Sequence, residues 1–286
     1  MTIEDVRPSV RSSGIRMLWL DLTRTCQLAC MHCYNDSGVR GTHGTMTCED
    51  WIQVIDEADA IGVRRLQLIG GEPTMHPHAA DLTEHALALG MSVEVYTNLV
   101  HVPGTWWALF QRHGVSIATS YYSDDPAEHN SITGRPSHAR TRANIQSCIQ
   151  LGVPLFVGIV DTGDSRRADR ARRELAGLGV TRLRIDHVRP FGRAAGGRPL
   201  ELSGLCGRCG SGKAAVGPMG DVSPCPMSAA LSVGNVHATG LAAILGGAAM
   251  TEAAEAIRAA VPAITDCDPD GMCSPGHPGS GCSPRT

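Results

Sequence analysis

Lysine is almost missing from this chain: Lys213 is the single one among the 25 Lys and Arg residues in 286 positions. Arginine, alanine and glycine are abundant instead, a bias that fits a GC-rich genome better than a binding surface. The arginines are scattered and the net charge is −3, so no basic stripe offers itself to nucleic acid. Long apolar runs are missing too. None approaches the length of a membrane span, and residues 1–11 are polar, without the apolar stretch of a secretory signal. The cysteine count, eleven, is odd. Without an export signal, that argues against a disulfide framework and for a cytoplasmic, reducing setting. The length is ample for one buried α/β core, alone or with a small extension.

Nine of the eleven cysteines fall into two groups, which favours metal binding over scattered core thiols. Cys26, Cys30 and Cys33 are spaced C-x3-C-x2-C directly after an apolar run, Ile15 to Leu22, that reads as a strand. A loop leaving a strand can fold three such thiolates around one face of a metal cluster. Iron–sulfur cubanes are held by Cys thiolates, ordinarily four, so three ligands leave one iron open to a small molecule. Zinc would need a fourth ligand, for which Cys48, His32 and His43 are the near candidates, and its usual pattern is two C-x2-C pairs.

This spacing just after a first strand resembles the signature of the radical S-adenosylmethionine (SAM) enzymes. The resemblance implies a 4Fe–4S cluster whose open iron is chelated by the amino and carboxylate groups of SAM. One electron cleaves SAM to methionine and a 5′-deoxyadenosyl radical, which takes hydrogen from a substrate. The cofactor carries that chemistry, and the protein supplies position and shielding. Arg65 to Ile69 reads as a second strand, running into Gly70-Gly71-Glu72-Pro73. Two glycines at a strand end permit unusual backbone angles and close approach of a ligand; taken alone, an ordinary βα turn reads the same way. Beside the cysteine loop the stretch resembles the family's GGE motif, implying that Gly70, Gly71 and Glu72 bind the SAM amino group. His76 and His78 look like metal ligands in isolation and read as loop and helix-entry residues in this setting.

Helix and strand then alternate. Thr47 to Asp50 opens a helix that Gly62 ends, with Trp51, Ile52, Ile55, Ala58 and Ile61 on its apolar face. Helices are predicted over Ala79–Leu89, Thr105–Arg112, Ser137–Leu151 and Arg166–Leu178, and strands over Met91–Thr97, Val115–Ser120, Pro154–Val160 and Thr181–Val188. Tyr121 to Pro136 reads as a long loop. Its His129, Gly134 and Arg135 form an H-x4-G-R pattern that resembles a segment of peptide-modifying family members. Six strands alternating with helices predict a partial (β/α)6, TIM-like barrel over residues 1–199, ordered in sequence by right-handed crossovers. Its active site belongs at the C-terminal strand ends. Asn98 and Ser120 sit at such ends, placed to touch the ribose or carboxylate of SAM, although polar residues there are also ordinary turn formers. Pro190-Phe191-Gly192-Arg193-Ala194 resembles the end of the sixth strand in members with auxiliary clusters, implying that Arg193 helps hold the SAM carboxylate or the substrate.

Residues 200–286 read as a small Cys-rich C-terminal extension that needs metal to order it. It holds Cys206, Cys209, Cys225, Cys267, Cys273 and Cys282. Cys209, Gly220 and Cys225 resemble the opening of the SPASM domain, which implies at least one auxiliary 4Fe–4S cluster and a short hairpin. Leu241 to Ala260 reads as one alanine-rich helix. The C-x5-C of Cys267 and Cys273 lacks a C-x2-C before it, so six thiols suffice for one complete cluster and an incomplete second. Structural zinc in this tail stays open, as does one unligated thiol that donates hydrogen to a substrate radical.

The resemblance implies an enzyme, a radical SAM oxidoreductase or maturase that cross-links or epimerises a ribosomally made peptide, fed by an electron donor such as flavodoxin or ferredoxin. The alternatives are a radical SAM dehydrogenase acting on a small molecule and, more distantly, a non-catalytic metal-binding protein. No nucleic acid or membrane partner is expected. About fifteen residues precede the first strand, fewer than a peptide-recognition domain needs. Capture of the peptide is therefore expected from a separate recognition protein or from the tail.

Overall fold

The computed structural model describes residues 14–261. Six strands, β1 (Met17–Asp21), β2 (Arg65–Ile69), β3 (Ser92–Tyr96), β4 (Val115–Tyr121), β5 (Leu155–Asp161) and β6 (Leu183–His187), pair in chain order, each parallel to the one before. This is the expected partial barrel. Alternate residues of a strand face opposite sides. Leu18, Leu20, Leu66, Leu68, Val93, Val95, Ile117, Val157 and Ile159 fill the layer between sheet and helices, all essentially without exposure. The other set turns to the barrel interior, where Trp19, Gln67 and Glu94 stand side by side across β1, β2 and β3. Trp19 Nε1 donates to Gln67 Oε1 at 2.5 Å, and the Gln67 amide donates to Glu94. A buried carboxylate persists there because it is hydrogen-bonded, and burial pushes its pKa up.

The helices α1 (Cys48–Ala60), α2 (Ala79–Ala88), α3 (Gly104–Phe110), α5 (His138–Gln150) and α6 (Ser165–Gly177) cover the outer face. A capping box starts α1: Thr47 Oγ1 accepts from Asp50 N, and Asp50 accepts from Thr47 N. The face it buries is Trp51, Val54, Ile55 and Ala58, residues three and four apart. The expected loop over Tyr121 to Pro136 is in part a helix, α4 (Pro126–Thr133). Asp125 caps it, Pro126 fixes its first turn, and Gly134 ends it at φ 69°.

The extension joins the same sheet. β7 (Lys213–Val216) lies parallel to β1 on the edge that β2 leaves free, and β8 (Asp221–Ser223) and β9 (Gly234–Asn235) follow antiparallel. The resulting nine-stranded order is β6-β5-β4-β3-β2-β1-β7-β8-β9. The single helix expected over Leu241–Ala260 is two, α7 (Leu241–Leu245) and α8 (Ala248–Ala260), interrupted at Gly246 and Gly247. Among the described residues, no helix is long and apolar enough to cross a membrane.

Candidate active site

A cleft of about 950 Å³, counting its open mouth, lies at the C-terminal ends of the strands, where Ile69, Tyr96, Ser120, Val160 and His187 line it. Cys26, Cys30 and Cys33, from the loop after β1, form one wall. Two of their sulfurs are addressed by backbone amides: Leu28 N donates to Cys26 Sγ at 3.4 Å and Ser37 N to Cys33 Sγ at 3.3 Å. Burial, then the charge of Glu72, pushes Cys26 up to about 12, and burial, then Cys33, does the same for Cys30. Such thiols become thiolates only with a cation to hold. Among the described residues no three His, Cys, Asp or Glu side chains converge as a single metal ion requires. A cubane asks for something different, one thiolate on each of several irons.

Gly70 and Gly71 line the cleft beside this loop. Gly70 has φ 137°, and a Cβ on Gly71 would stand 2.3 Å from the Thr25 carbonyl oxygen. The exit of β2 runs flush against the cysteine loop, with Gly71 N donating to Thr23 O at 2.7 Å and Glu72 N to Thr25 O at 2.9 Å. Glu72 itself is fully buried beneath the turn. Its Oε1 accepts from Thr74 N at 3.0 Å and Thr74 Oγ1 at 2.7 Å, and its Oε2 accepts from Asn98 N at 2.8 Å. The carboxylate braces the turn, and the two glycines are what the cleft meets.

Asn98 lines the cleft and leans on the cysteine loop, accepting from Gln27 Nε2 at 3.0 Å while its Nδ2 reaches Cys26 Sγ at 3.7 Å. Ser120 shares a hydrogen bond of 2.8 Å with the Tyr96 hydroxyl. Arg193 also borders the cleft, but its guanidinium grips the loop: Nε donates to Cys30 O at 2.8 Å, Nη2 to Ser37 O at 2.7 Å, and Nη1 meets Asp36 at 2.7 Å.

Two further residues line the cleft: Tyr34, which the sequence reading passed over, and His32, which it weighed only as a zinc ligand. His32 packs edge-on to Tyr122 with ring centroids 5.0 Å apart, and burial, then the charge of Arg193, lowers its pKa to about 4. His32 Nδ1 and the Tyr34 hydroxyl are buried with no hydrogen-bond partner. Buried polar atoms are rarely left so, and a polar ligand in the cleft would satisfy both. The three thiols, the amides aimed at them, the small-residue turn and these two orphaned atoms together fit a thiolate-held cluster carrying a polar cofactor. The available signal was position, since both residues flank Cys33.

Of the second cysteine group, the structure brings Cys206, Cys209 and Cys225 together, with Sγ separations of 4.0 Å and 3.3 Å along the row. Cys209 and Cys225 are buried, and the neighbouring thiols push Cys209 upward. They belong to an apolar cluster with Trp19, Phe191, Leu205, Met227 and Ile257, against which Tyr34 and Tyr96 pack. Met227, Tyr34 and Tyr96 also line the cleft, so a single apolar wall separates the two thiol groups. Cys267, Cys273 and Cys282 lie outside the described residues.

Residues 20–171 match the family model of the radical SAM superfamily, and residues 206–274 match SPASM, an iron–sulfur cluster-binding domain. The chain is 29% identical over 175 residues to the PqqA peptide cyclase of Streptomyces rochei, covering 60% of this chain and 48% of that protein. It is 30% identical over 185 residues to the mycofactocin maturase MftC of Mycobacterium tuberculosis, covering 63% and 46%. The chain thus spans about half the length of the curated relatives it matches. Among solved structures, Streptococcus suis SuiB bound to S-adenosylmethionine shares the fold, with a TM-score of 0.71 at 16% identity over 86% of this chain and 68% of that one. The match over residues 20–171 takes in more than half of the 286 residues: the chain belongs to the radical SAM superfamily, with a 4Fe–4S cluster and SAM as its cofactors and an auxiliary iron–sulfur cluster in its SPASM region.

Proposed function

We propose that this chain is a maturase that modifies a ribosomally made peptide. The observation that carries the reading is the placement of two thiol groups on either side of one apolar wall, the first opening into the cleft and the second behind it. When bound, SAM and the reduced cluster supply the radical that takes hydrogen from the substrate. Cys26, Cys30 and Cys33 hold that cluster. Gly70 and Gly71 offer backbone to the SAM amino group, while Glu72 fixes their turn. Asn98, Ser120, His32 and Tyr34 face the rest of the cofactor or the peptide. Cys206, Cys209 and Cys225, with thiols from Cys267, Cys273 and Cys282, hold auxiliary iron.

The relatives with peptide-cyclase and maturase names support a peptide substrate. Three gathered thiols next to the cleft favour an oxidative cross-link, in which the auxiliary cluster accepts the second electron, over epimerisation by a lone thiol. The partners this function needs are a flavodoxin- or ferredoxin-type donor and a recognition protein for the peptide, in the cytoplasm. Anaerobic reconstitution tests it: the wild type should release 5′-deoxyadenosine from SAM. The triple variant C26A/C30A/C33A should release none while keeping its auxiliary iron. Release by the triple variant refutes the cluster assignment, and release that no genome-neighbouring short peptide accelerates refutes the peptide.

A further inference from the structure

One side chain from the far end of the barrel fastens the loop that carries Cys26, Cys30 and Cys33. We propose that Arg193 is a positioning residue, whose guanidinium fork holds this loop in register and whose charge favours the reduced state of the cluster there. The proposal rests on these three thiols being the cluster's ligands.

The clamp spans some 160 residues of sequence, with Arg193 Nε on Cys30 O and Nη2 on Ser37 O across separations of 163 and 156. The backbone N–H of Arg193 adds a bond of 2.9 Å to Cys33 O. The contacts thus fall on the carbonyls of two ligand residues and on the loop's return limb. The turn is pressed onto the loop: Gly192 has φ 53°, and a Cβ there would lie 2.3 Å from Cys33 O. On its other side Phe191 packs with Leu205, Cys209 and Cys225, so the clamp is anchored in the auxiliary region. A planar fork can serve two carbonyls and a carboxylate together, whereas a lysine is a point charge that cannot.

The charge matters as well. A cluster gains negative charge on reduction, and a fixed cation against its ligands stabilises that state. Asp36, 2.7 Å from Nη1, offsets it only in part because its carboxylate is 71% exposed and screened by water.

The experiment uses the anaerobically reconstituted full chain as wild type, R193Q, R193K and D36N. Two properties of the SAM-perturbed EPR signal are followed, its midpoint potential and the rate at which a chelator removes it, with auxiliary iron as the internal control. R193Q should lose that signal about ten-fold faster, with auxiliary iron retained and the midpoint more negative. R193K should keep the midpoint near wild type yet still lose the signal faster, because charge survives and the fork does not. D36N should move the midpoint the other way. Unchanged loss rate and midpoint in R193Q overturn the proposal, and so does equal loss from both iron sites, which marks a general folding defect. A wild type without a SAM-sensitive signal overturns the cluster assignment, and the proposal with it, before any variant is compared.

Discussion

The backbone N–H of Asn98 donates to Oε2 of Glu72 at 2.8 Å, tying the exit of β3 to the turn after β2. The other oxygen of Glu72 takes the amide and hydroxyl of Thr74. Glu72→Ala leaves three donors unmatched in a fully buried place, an expected loss of about 3 kcal/mol. Glu72→Gln keeps an acceptor and most of the shape, and should cost about 1 kcal/mol. Denaturant unfolding measures both, and an alanine variant as stable as the wild type would show the carboxylate to be idle.

Gly71→Ala places a methyl 2.3 Å from the Thr25 carbonyl, against backbone that cannot swing aside. The cysteine loop must move, so iron per chain should fall from about eight, the content of two Cys-held cubanes, to about four. Retention of both clusters in this variant would mean that the loop tolerates a wider seat.

Cys225→Ala removes one end of the auxiliary thiol trio, 3.3 Å from Cys209, without touching the cleft loop. SAM cleavage without peptide should persist, while conversion of the peptide falls at least ten-fold with the loss of auxiliary iron. Product analysis by mass spectrometry decides: full conversion by a chain lacking that iron leaves the second site without a part in the reaction.

His129 sits in α4, 1% exposed, with Nδ1 lacking a partner and the rings of Tyr121, Tyr122 and His138 about it. Burial, then the charge of His138, lowers its pKa to about 4 from 6.5. The folded state therefore binds this proton later than the unfolded chain, and stability present above pH 6.5 declines as pH falls toward 4. Between pH 7 and 5.5 this one group accounts for about 1 kcal/mol. Thermal melts of wild type and H129Q across that interval should converge at the acid end, and parallel curves would assign the acid sensitivity elsewhere.

The barrel was legible because each of its parts carries its own periodicity. Val93 and Val95 beside Leu66 and Leu68 announce buried strands, and the i, i+3, i+4 series from Trp51 to Ala58 announces a helix. The spacing of Cys26, Cys30 and Cys33 singled out one loop, and the structure sets all three along the wall of one cleft. α4 was not, since only His129, Ile132 and Thr133 are buried along it and polar residues hide its pattern; its cap and stop, Asp125-Pro126 and Gly134, were the signals to weigh. β7 has four residues with no alternation, three of them buried, and only pairing with β1 and β8 makes it a strand. The partners of Glu72 and Arg193 depend on segments remote in sequence arriving alongside, which no local pattern encodes. His32 and Tyr34 had motif position to offer and nothing more, because a loop's conformation decides which way its side chains turn.

β7 occupies the outer edge of β1 from Met17 to Leu20. A shortened protein ending at residue 199 would strip that edge bare, leaving a row of unmatched amides and carbonyls beside the strand that launches the cysteine loop. Exposed edges of this kind recruit other chains, so the shortened form is expected to aggregate during expression. The barrel that carries the cysteine loop is therefore not a portable cassette. Exchanging it between scaffolds requires carrying the hairpin of β7 and β8 along with it.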